Sequence, residues 1–192
     1  MIRIGILGDI GSGKSHVAKK FGYPVFNADK NVAKLYKKNR KCFKKLKKKF
    51  PKYIFKFPIK KSEVSKIILA KKNNIKEVEK IIHPEIRNGL KYFVKKNKNR
   101  QFVILDIPLL MENKLNKKDD ILIFVDAKKE KINKMLKKRK NFNIKIIKKL
   151  KKFQLPLEYK KKKSNFIIKN NFNNNSVKKN VKNIKSNILL NV

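Results

Sequence analysis

A glycine-rich segment near the start of the chain, GDIGSGKS at residues 8–15, has the composition of a loop that binds phosphate. It matches the pattern G-x-x-x-x-G-K-[ST] at every fixed position, after a short apolar run and before a run that favours a helix. Glycines there let successive backbone N–H groups point at phosphate oxygens, and the start of the helix adds partial positive charge. The sequence therefore predicts a purine triphosphate site, with candidate residues Gly8, Gly11, Ser12, Gly13, Lys14, Ser15 and His16.

Two side chains of this segment have the chemistry that phosphoryl transfer requires. The Lys14 ammonium would reach the β- and γ-phosphates, and the Ser15 hydroxyl would ligate Mg²⁺. The alternative is a glycine-rich turn that happens to precede a helix, with Lys14 as one more surface lysine. Because motif and context occur together, we favour a nucleotide triphosphate site with Mg²⁺ as cofactor. Asp9 occupies a variable position of the motif, and we expect its carboxylate to point outward.

Two more acids lie at the ends of predicted strands. Asp29 ends the run 23–29, and Asp106 ends the run 102–106. Ligands of an open parallel sheet bind beyond the carboxyl ends of its strands, and we expect the second strand to lie beside the first. Asp29 is then a candidate to accept the proton of an acceptor hydroxyl, or it caps the helix that follows. Asp106 would hold Mg²⁺ or its waters, or it bonds to nearby backbone.

The elements that must position these residues alternate between strands and helices, which indicates an α/β fold with a mostly parallel sheet. Apolar runs predict strands at 2–7, 23–29, 102–106, 121–127 and 165–171. Helices are predicted from 15 and from 30, over 62–98 with Pro84 starting or kinking one, and over 128–140, 143–153 and 174–190.

The connection between the second and third strands is too long for a simple crossover. Residues 31–98 are therefore predicted to form an inserted helical domain that binds the acceptor, while residues 1–30 and 99–192 form the nucleotide-binding core. The basic, aromatic-rich block 37–61 contains no acid. It is interpreted as a solvated face, as part of the acceptor pocket, or as a nucleic-acid surface.

The net charge of +42 raises the possibility of a nucleic-acid partner. However, only five of the 55 basic residues are arginine, and lysine, asparagine and isoleucine are abundant. Drift toward A/T-rich codons accounts for that bias, so we expect no nucleic-acid partner. An arginine in this chain is consequently more informative than a lysine.

The remaining composition favours a cytoplasmic protein, and we expect the protein to act as a monomer. The single cysteine, Cys42, cannot form a disulfide within the chain, which is typical of a reducing compartment. No apolar run reaches the roughly 18 residues of a membrane span, and no cleavable signal is recognised at the start. We therefore expect no membrane association.

Four separated segments resemble the dephospho-CoA kinase family. Residues 4–30, IGILGDIGSGKSHVAKKFGYPVFNADK, are similar to the family's N-terminus, where the phosphate loop is followed by D-A-D. IIHPEIR at 81–87 resembles H-P-x-I-R, and VILDIPLLMENKL at 103–115 is similar to LDIPLLFE. QLPLEYKKKKSNFIIKNN at 154–171 resembles the family's Q-x-P-x-x-x-K tail. Together these segments are far more specific than the phosphate loop alone, and they span nearly the whole chain.

The chain also departs from the family's pattern at several positions. Asn27 replaces the first acid of D-A-D, although the second is kept as Asp29. The other departures are His16 where threonine is usual, Ser164 and Asn165 in place of Ala-Asp, and Lys169 in place of an acid. None of them removes Lys14, Ser15 or Asp29.

The resemblance implies a P-loop kinase fold, about five parallel strands with flanking helices, a helical insertion and a basic lid at about 136–160. It implies ATP-dependent phosphorylation of the 3′-hydroxyl of dephospho-CoA, the last step of CoA biosynthesis. Asp29 would accept the hydroxyl proton, and Arg139 in the lid would offset charge on the transferred group, unless Arg139 is only a solvated helix end.

Further roles follow from the resemblance and compete with simpler interpretations. Arg87 and His83 would bind the acceptor together with Asp29 and Asp106. Alternatively, Arg87 pairs with an acid such as Glu85, and His83 is a packed or capping histidine. Asn170 would lie near the adenine, or it is an exposed amide at a strand end.

Two other functions compete with this prediction. Another P-loop kinase could act on a nucleotide or nucleoside, because the phosphate loop alone does not identify the acceptor. A P-loop nucleic-acid-binding protein is supported by the charge alone. The chain contains no clear guanine-reading N-K-x-D motif.

Overall fold

Five parallel strands form the sheet of this computed structural model, which describes residues 1–71, 73–139 and 142–190. The strands are β1 Ile2–Gly8, β2 Val25–Asn27, β3 Phe102–Asp106, β4 Ile121–Asp126 and β5 Phe166–Lys169. Their order across the sheet is β2-β3-β1-β4-β5, and every neighbouring pair is parallel. The predicted α/β fold with a five-stranded parallel sheet is confirmed.

The central strands of the sheet consist of apolar runs. Such a composition is expected because helices cover the faces of the sheet. All five residues of β3 are buried, as expected for a strand of a parallel sheet. Helices α1 (Lys14–Lys20) and α9 (Asn174–Leu190) contribute to the same core. In α9 the buried positions are spaced three or four residues apart, so they form one apolar stripe: Val177, Val181, Ile184 and Ile188.

In the described part of the chain between β4 and β5 there are three short helices: α6 (Lys129–Lys137), α7 (Ile144–Lys151) and α8 (Leu157–Lys162). The sequence predicts the first two and misses α8. That helix has only six residues, begins after Pro156, and buries a lysine, Lys160, rather than an apolar residue. Such a segment lacks the apolar periodicity that indicates a helix.

The chain divides into two compact units, which we call the sheet unit (residues 1–27 and 97–192) and the helical unit (residues 28–96). The helical unit contains α2 (Ala28–Lys38), α3 (Arg40–Lys49), α4 (Lys61–Ala70) and α5 (Asn74–Lys96). Its limits differ by a few residues from the predicted insertion at 31–98. Pro84 lies inside α5 and does not start a helix. None of the described helices is long and apolar enough to cross a membrane.

The position of β2 differs from the sequence prediction. The strand pairs with β3, which separates it from β1, whereas we expected β2 beside β1. It also ends at Asn27, so Asp29 lies in the first turn of α2 rather than at a strand end. Consecutive strands usually lie side by side, but here β3 pairs with both β1 and β2 and lies between them.

Candidate active site

The phosphate-binding segment forms the turn between β1 and α1. Lys14 is only 9% exposed, and its Nζ donates hydrogen bonds to the carbonyls of Gly8 and Asp9 at 3.0 and 2.7 Å. The Ser12 N–H also donates to the Asp9 carbonyl, at 3.1 Å. The ammonium is therefore held by the loop itself, and the interpretation of Lys14 as a surface lysine is wrong.

Gly13 and Asn170 fit closely against each other. Gly13 immediately precedes α1 with φ 93°, a conformation that glycine adopts without strain, and a Cβ atom there would collide with the Asn170 side-chain amide. Asn170 is buried, and its Nδ2 donates to the Ser12 carbonyl at 2.8 Å. The alternative of an exposed amide at a strand end is wrong, because Asn170 braces the phosphate loop.

Asp9 does not point outward into solvent as expected. The residue is buried, and its Oδ1 accepts the N–H of Ile10 at 2.6 Å. Its Oδ2 accepts a hydrogen bond from Lys151 Nζ, on α7, at 2.8 Å. The loop therefore carries a buried carboxylate that takes one of its own N–H groups and forms an ion pair with a distant lysine.

Asp106 lies at the carboxyl end of β3, where it is buried beside Asn27 of β2. The Asn27 side-chain amide donates a hydrogen bond to Asp106 Oδ2. The departure from the family's acid at position 27 thus places a neutral donor, and not a second carboxylate, next to Asp106. Asp106 remains a candidate ligand for Mg²⁺, at the edge of the sheet where the phosphate loop begins.

The oxygen donors at the carboxyl-terminal edge of the sheet suit a Mg²⁺ ion that is bound jointly by the protein and by phosphate. Ser15 is exposed in the first turn of α1 and offers a hydroxyl, while Asp106 offers a carboxylate. Mg²⁺ usually takes one or two protein ligands plus phosphate oxygens and waters. Among the described residues, no group of three or more His, Cys, Asp or Glu side chains could hold a metal by itself. The donor set fits a nucleotide-bound Mg²⁺ and not a metal caged by protein.

The candidate residues of the helical unit lie on α2 and α5. Asp29 is exposed in the first turn of α2. His83 and Arg87 are one turn apart on α5, where His83 is half-buried and Arg87 is exposed. Burial and, to a lesser extent, the charge of Arg87 lower the pKa of His83. The imidazole is consequently neutral at pH 7.

A cavity of about 460 Å³ in the helical unit was not assigned from the sequence. Four cationic side chains from α2 and α3 line it, together with Glu85, whose Oε2 accepts a hydrogen bond from Asn39 at 3.1 Å. Arg40, one of the five arginines, also lies over the Phe57 ring at 5.3 Å. The four cations are Lys34, Lys38, Arg40 and Lys41.

A buried ion pair joins two of the segments on which the resemblance rests. Lys160 of α8 is 1% exposed, and its Nζ donates to Glu112 Oε1 at 2.9 Å. The same oxygen accepts the Leu155 N–H at 3.0 Å. We assigned neither residue from the sequence, although Glu112 belongs to DIPLLME and Lys160 to QLPLEYK. Their shared role is to fasten the segment that contains α8 to the segment after β3.

Arg139 follows α6 and is exposed. Its carbonyl accepts the N–H of Phe142 at 3.0 Å. The predicted helix over 128–140 ends earlier, at Lys137, and residues 140 and 141 lie outside the described residues. The predicted contact of Arg139 with the transferred phosphoryl group stays a prediction, as do the roles of His16, Asp29 and Arg87.

Comparison with known proteins agrees with the resemblance. The family model for dephospho-CoA kinase matches residues 2–176. The dephospho-CoA kinase of Wolbachia pipientis wMel is 33% identical over 98% of this chain and 98% of its own length. The crystal structure of TT1252 from Thermus thermophilus superposes with a TM-score of 0.79 at 25% identity, covering 97% of each chain. Dephospho-CoA kinase from Campylobacter jejuni superposes with a TM-score of 0.62 at 24% identity, covering 97% and 96%. The sequence prediction is confirmed: this chain belongs to the dephospho-CoA kinase family.

Proposed function

We propose that this protein transfers the γ-phosphoryl group of ATP to the 3′-hydroxyl of dephospho-CoA, releasing ADP and CoA. The observation that carries the proposal is the family match over residues 2–176. The phosphate loop supports it, because Lys14 is buried against the loop carbonyls and the segment matches the triphosphate motif in full.

On the donor side, the loop N–H groups and Lys14 would bind the phosphates of ATP. Ser15 and Asp106 would hold Mg²⁺, which would offset the negative charge of the phosphates. Asn170 keeps the loop in place through its hydrogen bond to the Ser12 carbonyl. This arrangement contributes mainly by positioning and by charge neutralisation, which dominate phosphoryl transfer.

On the acceptor side, the 3′-oxygen would form a bond to the γ-phosphorus while the bond to the β,γ-bridging oxygen breaks and ADP leaves. Asp29 would accept the proton of the 3′-hydroxyl. Arg139 would offset the charge on the transferred group. Asp29 is exposed at the start of α2, so a substrate could reach its carboxylate.

The cavity of the helical unit is a candidate for binding the anionic part of the acceptor. Its four cations would attract the diphosphate of dephospho-CoA. His83 and Arg87 on α5 would add further contacts, with His83 as a neutral hydrogen-bonding group. The helical unit would then act as the acceptor-binding domain.

We also propose that the protein acts in the cytoplasm as a monomer, without a membrane or nucleic-acid partner. Cys42, its single cysteine, is a buried free thiol, and burial raises the pKa of that thiol to about 11. Such a thiol is unreactive. The excess of positive charge comes from lysine and not from arginine, as compositional drift predicts.

The test is an assay of ADP release with ATP, Mg²⁺ and a panel of acceptors that includes dephospho-CoA, nucleosides, RNA and DNA. We expect turnover with dephospho-CoA, and mass spectrometry should identify CoA as the product. Lys14→Ala should reduce the rate by about a thousandfold or more. Lys19→Ala, at an exposed position of α1, is the matched control and should keep full activity. Turnover stimulated by another acceptor, with none for dephospho-CoA, would overturn the proposal.

A further inference from the structure

The phosphate loop contains an acid where its function calls for donors. The Asp9 carboxylate accepts the Ile10 N–H at 2.6 Å, so a negative charge occupies a donor of the segment that would bind the phosphates. Its side chain is only 10% exposed, and water therefore screens the charge poorly. A bound triphosphate would meet a fixed negative charge in the same loop.

Lys151 is the cation that faces this carboxylate. Its Nζ lies 2.8 Å from Asp9 Oδ2, and its side chain is 44% exposed. Lys14, the loop's own lysine, donates instead to the backbone carbonyls of Gly8 and Asp9. In the ranges that the structure describes, Lys151 forms the ion pair with the Asp9 carboxylate.

The helix that carries Lys151, α7, contains no fully buried residue. It lies within the segment 136–160 that we predict to be a lid. Its N-terminus is capped by Asn143, whose side chain accepts the Ile146 N–H at 3.1 Å, but that bond is local. The ion pair therefore connects the last residue of α7 to the phosphate loop.

We propose that Lys151 is a positioning residue for the nucleotide, which neutralises the Asp9 carboxylate so that the loop can bind a triphosphate. The inference rests on the proposed function, since it assumes that ATP binds at this loop. Lys151 acts through Asp9: without the ammonium, a poorly screened carboxylate repels the incoming phosphates. Without the carboxylate, the ammonium is no longer required.

The test is a thermodynamic cycle of ATP dissociation constants, measured by titration calorimetry with Mg²⁺ present. Lys151→Met should raise the dissociation constant about tenfold, and Lys151→Arg should keep it within about twofold. Asp9→Asn/Lys151→Met should bind ATP about as well as Asp9→Asn alone, because the pair acts as a unit. The KM for ATP in Lys151→Met should rise while kcat changes much less.

The matched control is Lys152→Met, which removes the same charge from the neighbouring exposed position and should leave ATP binding unchanged. Thermal unfolding of each variant checks that it is folded. Equal weakening by Lys151→Met in the presence and absence of the Asp9 carboxylate would overturn the inference, and so would unchanged binding in Lys151→Met. Failure of the wild-type protein to bind ATP would instead refute the proposed function, so the two failures are distinguishable.

Discussion

The ion pairs of the sheet unit and those of the helical unit differ in how far they are buried, although lysine is abundant in both units. Among the described residues of the sheet unit, three of the four largely buried acids each pair with one cation that is distant in sequence, while the fourth, Asp106, accepts a hydrogen bond from the Asn27 amide. In the helical unit, Glu77 is shared by Lys49 and Lys80, whose side chains are 53% and 73% exposed. The three pairs of the sheet unit are Arg3–Asp120, Lys151–Asp9 and Lys160–Glu112.

This difference separates lysines that specify structure from lysines that only cover the surface. A charge removed from water is stabilised only by a well-placed partner, so removing that partner is costly. An exposed pair contributes little, because water and salt screen it. In a chain with 55 basic residues, the lysines expected to contribute most to stability are therefore those whose partner acid is buried. Lys161–Asp126, a half-exposed pair of the sheet unit, belongs with the surface group.

Lys160→Met should have the largest effect on stability. It would leave the Glu112 carboxylate buried, with the Leu155 N–H as its remaining hydrogen-bond donor among the described residues. We expect the free energy of unfolding to fall by about 3–5 kcal/mol, as measured by urea denaturation at pH 7.

Lys162→Met, at an exposed position of the same helix, is the control and should change the free energy of unfolding by less than about 0.5 kcal/mol. Adding Glu112→Gln to Lys160→Met should recover part of the loss, since no charge then remains buried. Equal effects of Lys160→Met and Lys162→Met would contradict the distinction between the two classes of lysine.

Asn27→Asp should have the next largest effect. It would replace the donor to Asp106 by a second carboxylate, and two adjacent carboxylates resist simultaneous ionisation. We expect a loss of about 1–3 kcal/mol at pH 7, which shrinks as the pH is lowered and one of the two acids is protonated. The measurement is urea unfolding at pH 7 and pH 5.

Asn183→Asp, which adds the same charge at an exposed position of α9, is the matched control for that variant. It should change stability little at either pH. If Asn27→Asp and the wild type have the same free energy of unfolding at pH 7, the hydrogen bond from the Asn27 amide to Asp106 does not contribute to stability.

The framework of the sheet unit was predictable because its signals are local. Apolar runs located all five strands, and the spacing of apolar residues located α9 at 174–190, as observed. The phosphate loop was equally accessible, because glycine spacing and the lysine that follows are contiguous in sequence. Each of these features depends on neighbours within a few residues along the chain.

The partners of the buried acids could not be predicted from the sequence. Asp9 and Lys151 are separated by 142 positions, and nothing in the pattern distinguishes Lys151 from the lysines around it. Helix α8 was missed for a related reason, since its buried residue is the lysine that pairs with Glu112. The order of β2 and β3 depends likewise on long-range packing, which the run of apolar residues does not encode.

The titration of His83 should have a smaller effect, confined to mildly acidic pH. Burial and the charge of Arg87 lower the pKa of His83 in the folded chain, so the unfolded chain binds a proton at a higher pH. The free energy of unfolding should therefore decrease as the pH falls from 6.5 toward the lowered value. His83→Gln should lack this part of the pH dependence, as measured by urea unfolding between pH 8 and pH 5. Parallel curves for the two proteins would show that His83 does not titrate differently on folding.

Glu77→Gln should have the smallest effect, although it breaks two ion pairs at once. Hydrogen bonds from Lys80 and Lys49 lower the pKa of Glu77, and the stabilisation they supply is present above its ordinary pKa and lost as the pH falls below it. The two lysines are largely exposed, so salt should screen the attraction. We expect no measurable change in urea unfolding at physiological ionic strength, and a small loss only at low salt. A salt-independent loss as large as that of Lys160→Met would mean that a partly exposed acid in this chain depends on its lysines as strongly as a buried acid does. The contrast between the two units would then have to be attributed to something other than burial.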